Sequence, residues 1–391
     1  MKYINLIFLG SYLFLSACGS KDDGGSKTPP GSDSICPGNA LHVTVNGSRC
    51  GTTQYVNQPC VSVTVNGQVI NNILLDTGSF GLRVFKSVLK TSLTQAKADD
   101  GKDLAECVQF GDGSSQWGPV MMASVQLGGE KAVNVPIMVV DSTYPGDPGC
   151  STSKNQPSDV GPEDASFNGI LGVGLFAQDC GLGCTAAASK SSGSSYSPYY
   201  SCDGIGKCSQ TTVALANQVQ HPGALLAQNN NGVILSLPAV PDTGAASVEG
   251  CLYFGIGTQS NNALGSAKTY LADRQGRVTT LFNGHSMTSF LDSGSNGLYF
   301  PGDSAPPELT VCKTNGFYCP SRTQRLTASI NGVDINFSIA NISTLSGLVF
   351  NNIGAPTISG EAYFDWGLPF FFGKNIAVGM GKEGSGPYWA Y

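Results

Sequence analysis

From residue 41 onward, apolar and polar residues alternate in short runs that end on Asn-Gly, Gly or Pro. "LHVTVNG" (41–47) and "VSVTVNGQVINNILL" (61–75) carry a period of two, which predicts strands with one buried face. Asn66-Gly67, between two such runs, predicts a tight hairpin, because a type I′ turn needs positive φ at both central positions. The same pattern predicts strands at "ECVQFG", "VMMASVQLG" and "NVPIMVV". It resumes from 233 with "GVILSLP", "CLYFGIG", "AKTYLA", "RVTTLFNG", "TSFLDSG" and "TASINGVDINFSIA", and the last strong run is "GLPFFFGKNIAVGM". One stretch, "TTVALANQVQ" (211–220), reads as a helix capped by Thr211 or Thr212. Asp242-Thr243-Gly244 follows Pro241 rather than an apolar run, and reads as a hairpin tip.

Composition agrees with a turn-rich β body. Of 391 residues only 12% are charged, while glycine stands at 51. The length allows two domains or one large two-lobed one. A net charge of −6 without a basic run gives no reason to expect nucleic acid as a partner. The three histidines, His42, His221 and His285, have no HExxH-type spacing, and no G-x-S-x-G elbow occurs. A zinc peptidase and a serine triad are both disfavoured.

The first eighteen residues, "MKYINLIFLGSYLFLSAC", join a lysine to a short apolar run and end on Leu-Ser-Ala-Cys. This reads as a secretory signal closing on a bacterial lipobox, with Cys18 as the lipidated N-terminus. Residues 19–38 then form a flexible tether. The expectation is an exported lipoprotein anchored through its lipid in the cell envelope, preferably the outer membrane, with its domain in the periplasm or at the cell surface. Without Cys18 twelve cysteines remain, an even number that outside the cytosol implies disulfides. Cys312 and Cys319, and Cys202 and Cys208, are close enough to close small loops. Residues 180–210 read as a disulfide-pinned surface insertion, and a zinc site from Cys180, Cys184, Cys202 and Cys208 is the lesser alternative.

Chemistry enters with a repeat. Leu74-Leu75-Asp76-Thr77-Gly78-Ser79-Phe80-Gly81-Leu82 returns as Phe290-Leu291-Asp292-Ser293-Gly294-Ser295-Asn296-Gly297-Leu298. Each copy is followed by a glycine-apolar run, "FNGILGVGLF" (167–176) and "FDWGLPFFFG" (364–373). Two matching phrases with matching flanks indicate a duplicated lobe. They put one carboxyl in each half, and two carboxyls brought together share a proton and so offer a base and an acid at once.

These landmarks, in this order, resemble the pepsin-like aspartic peptidases over roughly residues 55 to 381. The resemblance implies an all-β, bilobal double β-barrel with pseudo-twofold symmetry and a few short helices. Its lobes would be 39–230, carrying the insertion, and 231–391. It implies a catalytic dyad of Asp76 and Asp292, the kind of proton-sharing acid pair that pepsin exemplifies. Gly78 and Gly294 would let the turns tighten, and Thr77 and Ser293 would lock the two loops together. Ser79 and Ser295 would orient the carboxylates. Phe110, Gly111, Asp112, Gly113 and Trp117 would belong to a flap hairpin at 108–118. Two positions depart from the family: Phe110 replaces the usual flap tyrosine, and Arg83 stands where a tryptophan is common.

The function expected is an aspartic endopeptidase acting on an extended polypeptide, as a monomer, with no metal or organic cofactor. The alternative is a catalytically weak or inactive envelope lipoprotein on the same scaffold that binds peptides or proteins. A structural or adhesive surface role is the third reading.

Overall fold

The structure, a computed structural model, describes residues 35–47, 50–51, 55–150, 161–186, 197–307, 309–357, 362–381 and 386–391. Cys18 and the leader and tether through residue 34 lie outside the described residues, as do 187–196 of the Cys-rich stretch.

The alternating runs fold as strands. Pro59–Val65 and Gln68–Asp76 form the hairpin expected around Asn66-Gly67, whose φ values are +46° and +84°. The strands collect into a 16-stranded and a seven-stranded sheet. In the larger sheet, Ala40–Val45 pairs with Val248–Phe254, which pairs with Gly232–Leu237, and that strand pairs with Lys374–Gly379. The beginning, middle and end of the described chain therefore share hydrogen bonds. The disulfide Cys36–Cys251 fastens the same join.

The repeated phrase is a repeated piece of architecture. Gln68–Asp76 runs parallel to Gly169–Val173, with Asp76 opposite Gly172. His285–Asp292 runs parallel to Tyr363–Gly367, with Asp292 opposite Gly367. In each copy the strand after the turn, Phe80–Phe85 or Leu298–Phe300, then lies antiparallel against that same partner. The two partner glycines are needed for space. A Cβ on Gly172 would lie 2.5 Å from the Phe80 amide nitrogen, and one on Gly367 would lie 2.0 Å from the Gly297 carbonyl oxygen.

Side chains facing inward build a core that runs through both sheets. It includes Val63, Ile73, Leu75, Leu171, Leu235, Phe300, Phe364, Trp366 and Ile376. Phe364 stacks on Trp366 at 4.3 Å and on Phe300 at 5.2 Å between ring centroids. Burying each such ring contributes roughly 2–3 kcal/mol, enough to fix the strand register on which the site depends.

One expectation changes, and one alternative drops out. The helix at 211–220 does not form; only Leu215–Asn217 makes a single 3-10 turn. Thr211, Thr212 and Val213 are β-branched, and the Gln220 side chain donates to the carbonyls of Leu215 and Ala216, which a helix would have used itself. The zinc alternative also falls. Cys180 bonds Cys184 and Cys202 bonds Cys208, alongside Cys50–Cys60, Cys107–Cys150 and Cys312–Cys319. Asp242-Thr243-Gly244 lies in the connection between Gly232–Leu237 and Val248–Phe254, with Gly244 at φ +91°.

Candidate active site

Asp76 and Asp292 are the last residues of their strands, each following apolar residues that anchor the backbone in the core. The turns that follow are alike. The Gly78 amide donates to Asp76 Oδ1 at 2.7 Å, and the Gly294 amide to Asp292 Oδ1 at 2.8 Å. Each glycine also faces the opposite carboxyl. A Cβ on Gly78 would fall 2.6 Å from Asp292 Cγ, and one on Gly294 would fall 2.8 Å from Asp76 Oδ1 and 3.1 Å from Asp292 Oδ1. A side chain at either place would force a carboxyl of the pair to shift. Asp76 is buried; Asp292 keeps a partly open face although protein groups surround its carboxyl.

The electrostatics follow from that closeness. Burial pushes the Asp292 pKa well above the carboxylate range, and the charges of Asp76 and Asp365 and contact with the Asp76 side chain push it further. Ser295 opposes this by stabilising the ionised form. A protonated carboxyl beside a carboxylate is the state this geometry favours.

The loops are tied to each other. Thr77 Oγ1 donates to the Leu291 carbonyl at 2.9 Å, and Ser293 Oγ to the Leu75 carbonyl at 2.8 Å. Ser295 Oγ donates to Asp292 Oδ2 at 2.9 Å, as expected. Ser79 breaks the symmetry: its hydroxyl is buried without a hydrogen-bond partner among the described residues and does not orient Asp76.

Asp103–Gln109 and Ser115–Leu127 form a hairpin whose turn holds Phe110, Gly111, Asp112 and Gly113. The turn closes through the Phe110 amide to the Ser114 carbonyl, and Asp112 Oδ1 accepts from the Ser114 amide and hydroxyl. Trp117 is not part of the hairpin's working end. It is buried beside the Cys107–Cys150 bridge, and its indole N–H is spent on the Tyr144 carbonyl at 2.9 Å.

Arg83, noted only as a departure, turns out to be buried at the base of this hairpin. Its guanidinium bonds Glu106 at 2.9 Å and Asp179 at 3.2 Å, and lies 6.0 Å from the Phe110 ring centroid. Tyr199 adds a hydrogen bond to Asp179 at 2.6 Å. Burial favours a neutral Arg83, but Glu106 and Asp179 reverse this and hold its pKa above the ordinary value. Sequence reading missed Glu106, Asp179 and Tyr199, which are distant in the chain and carry no motif. It also missed Asp365, for which a signal existed: aligning "FNGILGVG" with "FDWG" on their ladder glycines sets an acid against Ile170. Among the described residues, no group of three or more His, Cys, Asp and Glu side chains is arranged to hold a metal ion.

A family model described as "Protein of unknown function (DUF3443)" matches residues 36–391. None of the curated proteins compared with the chain matches it. Among solved structures, the crystal structure of an aspartic proteinase from Irpex lacteus superposes with a TM-score of 0.54 at 16% identity. That match covers 90% of this chain and 96% of the proteinase. At that identity the likeness establishes the fold: the two barrel-like sheets are the bilobal pepsin-like double barrel.

Proposed function

The chain belongs to the DUF3443 family, and we propose that it is an aspartic endopeptidase using Asp76 and Asp292 as its dyad. The observation that carries this reading is the convergence of the two carboxyls on facing glycine turns, with Asp292 driven toward its protonated form. A water held between them gives a proton to the ionised carboxyl as its oxygen attacks the peptide carbonyl carbon. The protonated partner meanwhile donates to the carbonyl oxygen, giving a gem-diol. Collapse of the diol breaks the C–N bond, and the departing nitrogen takes a proton from the pair. The Phe110 hairpin would cover an extended substrate bound through its backbone.

The substrate is a polypeptide, and the enzyme acts as a monomer. Six disulfides suit an exported protein, and lipidation at Cys18 would hold it at the envelope; fatty-acid labelling lost in Cys18→Ser tests the anchor.

Cleavage of a denatured protein across a pH series tests the activity. Asp76→Asn and Asp292→Asn should each lower it by about 10²–10⁴-fold or more. Intact substrate at every pH favours the second reading, a peptide-binding relative without turnover. Two observations speak for that reading: the unpartnered Ser79 hydroxyl, and a flap phenylalanine that has no hydroxyl to donate.

A further inference from the structure

Strand Tyr363–Gly367 turns Phe364 and Trp366 into the aromatic core. Alternation then points Asp365 to the opposite face. In the ladders Asp365 pairs with Phe290, two residues before Asp292 and on the same face as it, and with Tyr299. Asp365 is only 5% exposed, and among the described residues its Oδ1 has no hydrogen-bond partner. The chain supplies its own control, because the first copy puts Ile170 at the matching place, opposite Leu74. The fold therefore accepts an apolar residue here. A buried carboxyl with an unused acceptor is costly, and packing does not require it.

Ser295 links this group to the site. Its hydroxyl donates to Asp292 Oδ2 at 2.9 Å and also exerts a hydrogen-bond influence on Asp365. One hydroxyl proton serves one carboxylate at a time. Resting on the peptidase reading, we infer that Asp365 is a positioning residue of the acid pair, a third carboxyl coupled to Asp292 through Ser295 and across their shared sheet face.

Its effect has a definite sign. Once ionised, Asp365 opposes loss of the last proton from Asp292, so the pair stays singly protonated to higher pH. Burial first, then Asp76, then Asp365 raise Asp292 in this way. Asp365 is itself raised by burial and by Asp76, and lowered by Ser295. The titratable groups around it among the described residues include Asp76, Asp292 and Tyr299, with Tyr363 two residues back on its own strand face, and burial keeps the Tyr299 phenol neutral.

The test compares the parent with Asp365→Asn and Asp365→Ile, the latter placing the first copy's residue in the second. Two readouts are taken: the pH profile of kcat/KM, and the titration of ¹³C-labelled aspartate carboxyls, with Asp292→Asn assigning the Asp292 signal. Circular dichroism and melting identify the variants that are folded. In both variants the alkaline limb and the Asp292 titration should move down by about 0.5 pH unit or more. An Asp292 titration that stays in place in either folded variant overturns the inference. So does a raised KM for peptides with basic side chains without a limb shift, which would make Asp365 a subsite wall. A parent that shows the expected titration but cuts nothing sinks the peptidase reading and leaves the coupling standing.

Discussion

Thr77 and Ser293 hold each other's backbone: the Ser293 amide donates to Thr77 Oγ1 at 2.9 Å, and the Thr77 amide donates to Ser293 Oγ at 3.1 Å. Both residues are buried, and each hydroxyl also donates across to the opposite strand. The loops carrying the two acids are thus joined by four hydrogen bonds that do not depend on the carboxyl pair itself. Thr77→Val keeps the shape but strands the Ser293 amide and the Leu291 carbonyl. The expected loss is about 2–4 kcal/mol. Thr77→Ser preserves the bonds and should cost about 1 kcal/mol, for a methyl group. Urea midpoints at constant slope would measure both; equal losses would mean the bonds contribute nothing beyond packing.

Arg83 leads to a larger prediction. Among the described residues it is the one cation in a buried group with Glu106, Asp179 and the Tyr199 hydroxyl. Arg83→Met leaves two facing acids with no counterion, and should destabilise by about 3–5 kcal/mol. Adding Glu106→Leu removes one stranded charge and should restore part of that loss. If the double variant is less stable than Arg83→Met alone, the network is not acting through charge. Loss of the guanidinium also empties the space under Phe110, so faster proteolytic nicking at 110–113 is expected in the single variant.

These two groups show what could be read from the chain in advance. Thr77 and Ser293 were legible because a duplicated phrase names both partners of a symmetric lock. The strands were legible because alternation reports burial directly. Arg83 was visible as an oddity, but its partners were not, since nothing local joins positions 83, 106 and 179; only the folded sheet does. The helix misread at 211–220 has a related cause, because its glutamine side chains bond nearby backbone that the sequence alone leaves unassigned. Asp365 stood in plain view inside an apolar run, and only the ladder register shows that it shares a face with Asp292.

The disulfides should differ in worth according to the loops they close. Cys36–Cys251 spans 215 residues and Cys180–Cys184 spans four. Loop-closure entropy predicts about 5 kcal/mol for the first and about 2 kcal/mol for the second. Paired Cys→Ser variants compared by guanidinium unfolding give the ranking. The long bridge also fastens Ala40–Val45 to Val248–Phe254, where the early and late parts of the chain meet. If its removal costs less than removal of the short bridge, the ordering is set by native contacts rather than by the unfolded chain.

His221 sets a limit on the acid side. It is fully buried, its Nδ1 accepts from the Gly223 amide at 3.0 Å, and its Nε2 has no partner among the described residues. Burial lowers its pKa from the ordinary 6.5 to about 4. An unfolded chain takes up this proton as pH falls through 6.5, while the folded protein refuses it until about 4. Stability is therefore lost progressively over that interval, by about 3 kcal/mol in all. Asp292 and Asp365 act in the opposite sense, because their raised pKa values let the folded state hold protons longer and so stabilise it as pH falls. The total profile mixes these contributions, so the difference between the parent and His221→Asn isolates the histidine. Asparagine keeps an acceptor for the Gly223 amide and does not titrate. Unfolding free energy measured from about pH 7 to about pH 4 should fall more steeply for the parent, and the gap between the two curves should change by about 3 kcal/mol across the interval. A constant gap would mean that His221 takes up its proton at the same pH in the folded and unfolded chain. The proposed dyad would then be free of the restraint this histidine otherwise places on how acidic its surroundings can be.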